Sequence, residues 1–312
     1  MTDWRPLAGP AAAERRASLL GRAREYFTGQ DVLAIDVPTL GETGVTDPNI
    51  HCMEVPGQGW LQSSPEYFMK RLLAAGYPDI YTVCRVFRDG EAGRRHLREF
   101  TLIEWYRRGY GLGAIIDDAC ALVGHILGSA RARLPVAVID YRDAFLEVSG
   151  VDPLSCETAR LAELAGADAS LRDTLGDDRD AWLDLVLATV VVPSWPTDRI
   201  TVLRHYPKSQ AALARGCPAD AAVADRFEIF AGDLELANGY VELRDADEQA
   251  ARMARDQQLR GARGLPAMAV DDKLLAALAS GLPRCAGVAL GFERLHMFAE
   301  GVSDIRQIVS FA

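Results

Sequence analysis

No apolar run in this 312-residue chain approaches the roughly 20 residues needed to cross a bilayer. The longest candidate, near Leu183–Val192, is interrupted by Asp184 and followed by Pro193. The N-terminus, Met1-Thr2-Asp3-Trp4, has no charged leader before an apolar stretch, so a cytoplasmic location is expected and no membrane association. A basic surplus is also lacking. The 34 basic residues are outnumbered by 44 acidic ones, giving a net charge of −10, which disfavours an extended nucleic-acid partner. The six cysteines (52, 84, 120, 156, 217 and 285) form no Cys-x-x-Cys pair and have no zinc-finger histidine spacing, so reduced, mostly buried thiols are expected. His51, His96, His125, His205 and His296 have no histidine partner at helical spacing. Nucleophile-elbow, Walker and dinucleotide fingerprints are all missing.

What remains is a composition of 49% hydrophobic and 25% charged residues, that of an ordinary globular protein. Leu19, Leu20, Ala23 and Phe27 give Ala11–Phe27 one apolar helical face. Val32–Val37 reads as a strand closed by Pro38, and Ser64-Pro65 opens a helix. Ile80–Arg88 and Glu99–Arg107 read as strands joined by the long polar loop Asp89–Arg98. Ile115–Arg133 is expected to be helical, Tyr141–Asp180 a series of short helices, and Arg179–Val190 a further helix. Phe227–Ala231 and Leu234–Asn238 flank the turn Gly232-Asp233. Asp245 and Asp271 or Asp272 begin two more helices. The strand Ala286–Leu290 leads through Gly291 into a helix over Phe292–Glu300. Hairpins with helices outside predict an α+β fold with an antiparallel sheet flanked by helices.

Strand alternation puts Glu228 and Glu235 on one hairpin face, and a bulge at Asn238-Gly239 would return Tyr240 and Glu242 to it. Such acids suit a hard cation such as Mg²⁺, or they form the solvated face of an edge hairpin. Arg85, Arg88, Arg94, Arg95, Arg98, Arg107 and Arg108 crowd the other hairpin, where Arg88 is well placed for an anion. A basic surface hairpin reads equally from that spacing. On its return strand Phe100, Leu102, Glu104 and Tyr106 share a face, which suits a flat heterocycle beside an ammonium group. Arg294 follows Gly291 in the first turn of a helix, near free N–H groups, with Glu293 beside it. His96, in the arginine-rich loop, is a candidate phosphate contact, and the other four histidines are expected to be structural.

Four stretches together resemble the class II aminoacyl-tRNA synthetase catalytic core, in its lysyl branch. VLAIDVP (32–38) looks like motif 1, CRVFRDGEAGRRHLREFTLIEWY (84–106) like motif 2, and GVALGFERL (287–295) like motif 3. RFEIFAGDLELANGYVEL (226–243) is close to the lysyl signature. LQSSPEYFMKRLLAAG, EWYRRGY, YPKSQAALA and ARGLP are similar to a narrower family. Those are the lysyl-synthetase-like ligases that attach (R)-β-lysine to elongation factor P.

The resemblance implies one catalytic domain over 1–312, with a helical insertion at about 141–195 and no N-terminal anticodon-binding domain. It implies an ATP-dependent ligase that adenylates (R)-β-lysine or lysine and passes it to a lysine of elongation factor P. A homodimer is implied and tRNA is not. Ser64, Pro65, Glu66, Glu104, Tyr106, Asn238 and Glu242 would bind the amino acid. Asp89, Gly90, Glu91, His96, Phe100, Glu235, Leu236 and Gly291 would bind ATP, with Arg88 and Arg294 on its phosphates as the catalytic pair. Glu228 and Glu235 would hold Mg²⁺. Motif 2 departs from the usual pattern at Gly90, Leu97 and Arg98, and Ala289 stands where lysyl-tRNA synthetases usually have glycine. An adenylating enzyme for α-lysine or a related diamine acid, or a non-catalytic paralogue, would fit many of the same motifs.

Overall fold

A computed structural model describes residues 4–128 and 134–312. The described residues form two compact units, one of 4–128 with 242–312 and one of 134–241.

In the first unit four strands lie in the order Leu33–Ala34, Ile80–Phe87, Glu99–Arg108, Cys285–Gly291. The hairpin pairs Phe87 with Glu99 and Ile80 with Tyr106. Cys285–Gly291 runs antiparallel to Glu99–Arg108, so that Gly287 faces Tyr106, Ala289 faces Glu104 and Gly291 faces Leu102. Leu40–Gly41, Gly59–Leu61 and Glu54–Val55 form a small separate sheet, which the sequence pattern does not announce.

The helix Pro10–Gly29 starts on Pro10, whose fixed φ suits a first turn, and buries Leu19, Ala23 and Phe27. Phe27 stacks on Tyr81 with ring centroids 4.2 Å apart. Asp118, on the helix Leu112–Leu127, accepts from the Trp105 indole at 2.9 Å and the Tyr26 hydroxyl at 2.7 Å. A buried carboxylate satisfied in this way fastens two helices to the strand at a fixed distance. The helix Ala246–Ala262 is capped by Asp245, which accepts from the Asp247 and Glu248 amides.

In the second unit the strand order is Leu234–Val241, Arg226–Ala231, Ile200–Arg204, Val136–Asp140. Tyr141, Phe145, Trp182, Trp195 and Phe230 build its core. The short helices Tyr141–Ser149, Thr158–Leu164, Ala169–Leu175 and Arg179–Val186 cover them.

Several expectations need correction. The pairing is not antiparallel throughout: Leu33–Ala34 runs parallel to Ile80–Phe87, and Val136–Asp140 parallel to Ile200–Arg204. In both cases helices lie between the paired strands in the chain, and such crossovers permit parallel pairing. The first strand is only Leu33–Ala34, although the Ile35 amide still donates to Tyr81. The helix expected to reach Arg133 runs over Leu112–Leu127, and residues 129–133 lie outside the described ones. The helix from Arg179 is regular only to Val186, then widens over Leu187–Val191 and tightens over Val192–Ser194. Pro193 lacks an N–H and its ring crowds the preceding turn, so a regular helix cannot continue through it.

Candidate functional site

The return strand Glu99–Arg108 supplies the floor of a site in the first unit. Period-2 alternation puts Phe100, Leu102, Glu104 and Tyr106 on one face. The neighbouring strand offers only Gly287, Ala289 and Gly291 opposite the last three, so little side-chain volume stands beside the acid and the phenol. Gly287 has no room for a side chain. A Cβ there would lie 2.4 Å from the Tyr106 ring and 2.7 Å from Glu242 Oε1.

Buried charge converges on this floor. Ser64 Oγ donates to Glu104 Oε2 at 2.9 Å, and the Tyr106 hydroxyl donates to Glu104 Oε1 at 2.9 Å. Ser64 also accepts the Glu66 amide at 3.1 Å, and Pro65 is the cap residue of the helix Glu66–Ala74. The expected Ser64 cap is thus displaced by one residue, and its hydroxyl ties the helix start to Glu104. One turn into that helix, Lys70 is 1% exposed. Its Nζ lies 2.7 Å from Glu66 Oε1 and 2.6 Å from Glu242 Oε2. Lys70 was not foreseen as a site residue. Its i+4 spacing from Glu66 was visible, but a lysine on a helix ordinarily signals solvent.

Two carboxylates, Glu66 and Glu242, share one ammonium within this socket, and Glu104 is held beside them by Ser64 and Tyr106. Burial, then the nearby Glu66 charge, pushes Glu104 up to about 8, against the hydrogen bonds from Tyr106 and Ser64. Burial also pushes Glu242 up to about 8, with Lys70 opposing and Glu66 adding to the rise. Burial works against the Lys70 ammonium, but the Glu242 and Glu66 charges outweigh it and raise its pKa. Glu242 Oε1 is buried and accepts no hydrogen bond among the described residues. The chemistry of such a socket is capture of a second cation.

A second group of residues in this unit surrounds the arginines. Arg88 stands over the Phe100 ring at 5.2 Å, donates to the Ser63 carbonyl at 3.4 Å, and lies 3.5 Å from Glu91. The Asp89 amide donates to the His51 carbonyl, and Asp89 Oδ1 takes the Gly90 amide. Gly90 has φ 76°, which glycine adopts without strain. Arg294 lies 2.6 Å from His96 Nε2. Since arginine only donates, the imidazole nitrogen is the acceptor in this contact. Glu293 is buried; it accepts from Arg16 at 2.9 Å and from the Thr101 amide at 2.8 Å. Its carboxylate thus braces the strand that carries Phe100 and Glu104.

In the second unit the hairpin register differs from expectation. The bulge falls between Glu235 and Ala237, at Leu236, not at Asn238-Gly239, and Glu228 opposes Asn238. Gly239 keeps ordinary register opposite Phe227, so here the glycine does not mark the bulge. Glu228, Glu235, Asn238 and Tyr240 still share a face. Arg226 joins them, donating to Glu228 Oε1 at 2.6 Å and to Asn238 Oδ1 at 3.0 Å. Burial, then the Glu235 charge, raises Glu228 to about 7, with Arg226 opposing. Paired carboxylate oxygens that resist sharing a face fit a hard dication such as Mg²⁺.

Among the described residues no helix is long and apolar enough to cross a membrane. A family model described as tRNA synthetases class II (D, K and N) matches residues 10–312. Three curated relatives carry the name elongation factor P–(R)-β-lysine ligase. That of Photorhabdus laumondii is 40% identical over 320 residues, spanning 99% of this chain and 97% of the relative. That of Mannheimia succiniciproducens is 41% identical over 317 residues, with 99% and 97% spanned. That of Klebsiella pneumoniae is 40% identical over 318 residues, with the same spans.

Proposed function

This chain belongs to the class II tRNA synthetases of the D, K and N group, and we propose that it is an ATP-dependent ligase of (R)-β-lysine and elongation factor P. The observation that carries this reading is the buried socket of Glu66, Glu104 and Glu242 around Lys70. Surplus carboxylates in a low-dielectric site select a guest with ammonium groups, and a diamine acid such as β-lysine has two.

In the first step a carboxylate oxygen of the amino acid attacks the α-phosphorus of ATP, and pyrophosphate leaves. The chain contributes mainly position and charge. Glu66, Glu104 and Tyr106 hold the reacting end by its amino group, with Ser64 and Pro65 setting the helix start. Glu242 holds the distal ammonium. Arg88 and Arg294 grip the phosphates as negative charge shifts to the leaving group. For Arg294 this means exchanging the His96 nitrogen for a phosphate oxygen. Phe100 offers its ring to the adenine, while Asp89, Gly90, Glu91 and Gly291 line the nucleotide. Mg²⁺ held by Glu228 and Glu235 would neutralise phosphate charge. In the second step an acceptor lysine amine attacks the carbonyl of the mixed anhydride, and AMP leaves. No covalent enzyme intermediate is required.

The test is incubation with ATP, Mg²⁺, (R)-β-lysine and unmodified elongation factor P. The acceptor should gain one β-lysyl mass. Amino-acid-dependent pyrophosphate exchange without that gain would remove the acceptor and keep the adenylation. Absence of exchange with any diamine acid would remove both.

A further inference from the structure

Away from the residues discussed so far, His205, Cys217 and Asp225 in the second unit place a ring nitrogen, a thiol sulfur and a carboxylate oxygen within 4.8 Å of one another. We propose that this triad is a zinc site, with a fourth position open to water. The three donor types are those of tetrahedral zinc, whereas Mg²⁺ has little affinity for sulfur. Zinc ligands at about 2.0–2.3 Å from the metal stand roughly 3.3–3.8 Å apart, so shifts of about 1 Å close the cage.

The surroundings orient each donor. His205 Nδ1 lies 3.3 Å from Asp140 Oδ1, and Nε2 is turned toward Asp225 Oδ1 at 3.9 Å. A carboxylate behind the imidazole is the usual partner of a zinc-ligating histidine, because it fixes the ring and makes the outer nitrogen more basic. Arg215 clamps the other Asp225 oxygen, Oδ2, at 2.7 and 2.8 Å, leaving Oδ1 directed at the histidine. Asp225 is buried. Cys217 and Asp225 are held side by side by the Gly216–Ala224 bridge, with the Cys217 amide donating to Val223 and the Asp225 amide to Arg215. His205 has φ 58°, a strained conformation for a ring-bearing residue away from glycine. That backbone is pinned by donation from its amide to the Arg226 carbonyl at 2.9 Å.

Sequence spacing hides this set, because the ligands come from three separate segments with no Cys-x-x-Cys or His-x₃-His pattern. Binding converts the Cys217 thiol to a zinc-bound thiolate and releases its proton to solvent. The ion would join the end of Ile200–Arg204 to the start of Arg226–Ala231, three residues before Glu228. It would serve to brace that hairpin.

The test is titration of the chelator-treated full-length protein with Co²⁺, followed by Zn²⁺. One equivalent of Co²⁺ should give thiolate-to-metal charge transfer in the near ultraviolet and intense visible bands of tetrahedral geometry, and Zn²⁺ should erase both. Cys217→Ser should abolish the charge transfer, and Asp140→Asn should weaken Co²⁺ binding about 10–100-fold. Circular dichroism checks that each variant is folded, and His205→Gln gives the same loss if Cys217→Ser does not fold. A missing band at one equivalent, or a band that persists in Cys217→Ser, overturns the proposal. Neither result bears on adenylation, which is read by pyrophosphate exchange.

Discussion

Lys70 Nζ sits 2.6 Å from Glu242 Oε2, and both side chains are withdrawn from solvent. The pair joins a helix that begins at Glu66 to the residue four places ahead of the helix Ala246–Ala262. Attraction between them is strong in a low-dielectric interior, and so is the penalty if either is removed alone.

Lys70→Met should therefore cost about 3–5 kcal/mol, because Glu66 and Glu242 then face each other without a cation. Denaturant unfolding measures this. The loss should shrink as pH falls through about 8, where Glu242 takes up a proton. A stability change under about 0.5 kcal/mol, typical of a surface substitution, would contradict the buried pair.

Glu242→Gln keeps the shape of the side chain and removes its charge. Calorimetry should find amino-acid binding weakened about tenfold or more, with ATP binding unchanged within about twofold. Equal losses for both ligands would contradict assignment of Glu242 to the amino acid.

Glu104 and Glu242 are both raised to about 8, so the folded chain binds protons there that the unfolded chain has lost. Stability from these groups is full below their ordinary values near 4.5 and declines as pH rises through 8. Melting temperature should accordingly fall between about pH 4.5 and 8 and level off above that. A dicationic amino acid favours the ionised carboxylates, so its affinity should rise over the same interval, up to about tenfold per unit, with protons released on binding. Calorimetry in buffers of different ionisation enthalpy reads that release. Proton uptake would reverse the assignment.

Gly287→Ala should abolish amino-acid-dependent pyrophosphate exchange while leaving a folded protein. The added methyl collides with the Tyr106 ring and Glu242 Oε1, and those groups can yield only by leaving the socket. Activity within about twofold of the unaltered chain would show that they relax without consequence.

The Val32–Pro38 segment carries the expected dimer contact, and Leu33 near its start is 45% exposed. Light scattering at micromolar concentration should return twice the chain mass, and Leu33→Arg should return one. A monomer mass for the unaltered chain removes the dimer.

Local rules made much of the fold legible. Asp245 and Gly232-Asp233 punctuate a helix and a turn through backbone chemistry that neighbours do not alter. The parallel edge pairings were not legible, because they depend on where a crossover returns. For the same reason the bulge was misplaced: Gly239 is a local signal, whereas the register that puts the extra residue at Leu236 is set by the partner strand. Ser64, Glu66, Glu104, Tyr106 and Glu242 were named from the sequence, and they gather within one unit. Lys70, Gly287 and Arg226 were not. A charge buried by its partners looks like any solvated charge in the sequence. A glycine required by the ring across the ladder looks like any small strand residue.

Glu293 joins parts of the chain that the sequence keeps far apart, since one carboxylate holds both the Arg16 guanidinium and the Thr101 backbone. The N-terminal helix is therefore more than a cover over the sheet. Together with the direct bond from Arg16 to Thr101 Oγ1 at 2.6 Å, this rivet holds the strand of Phe100 near its start, and cutting the chain back past Arg16 would loosen the proposed nucleotide seat long before the core came apart.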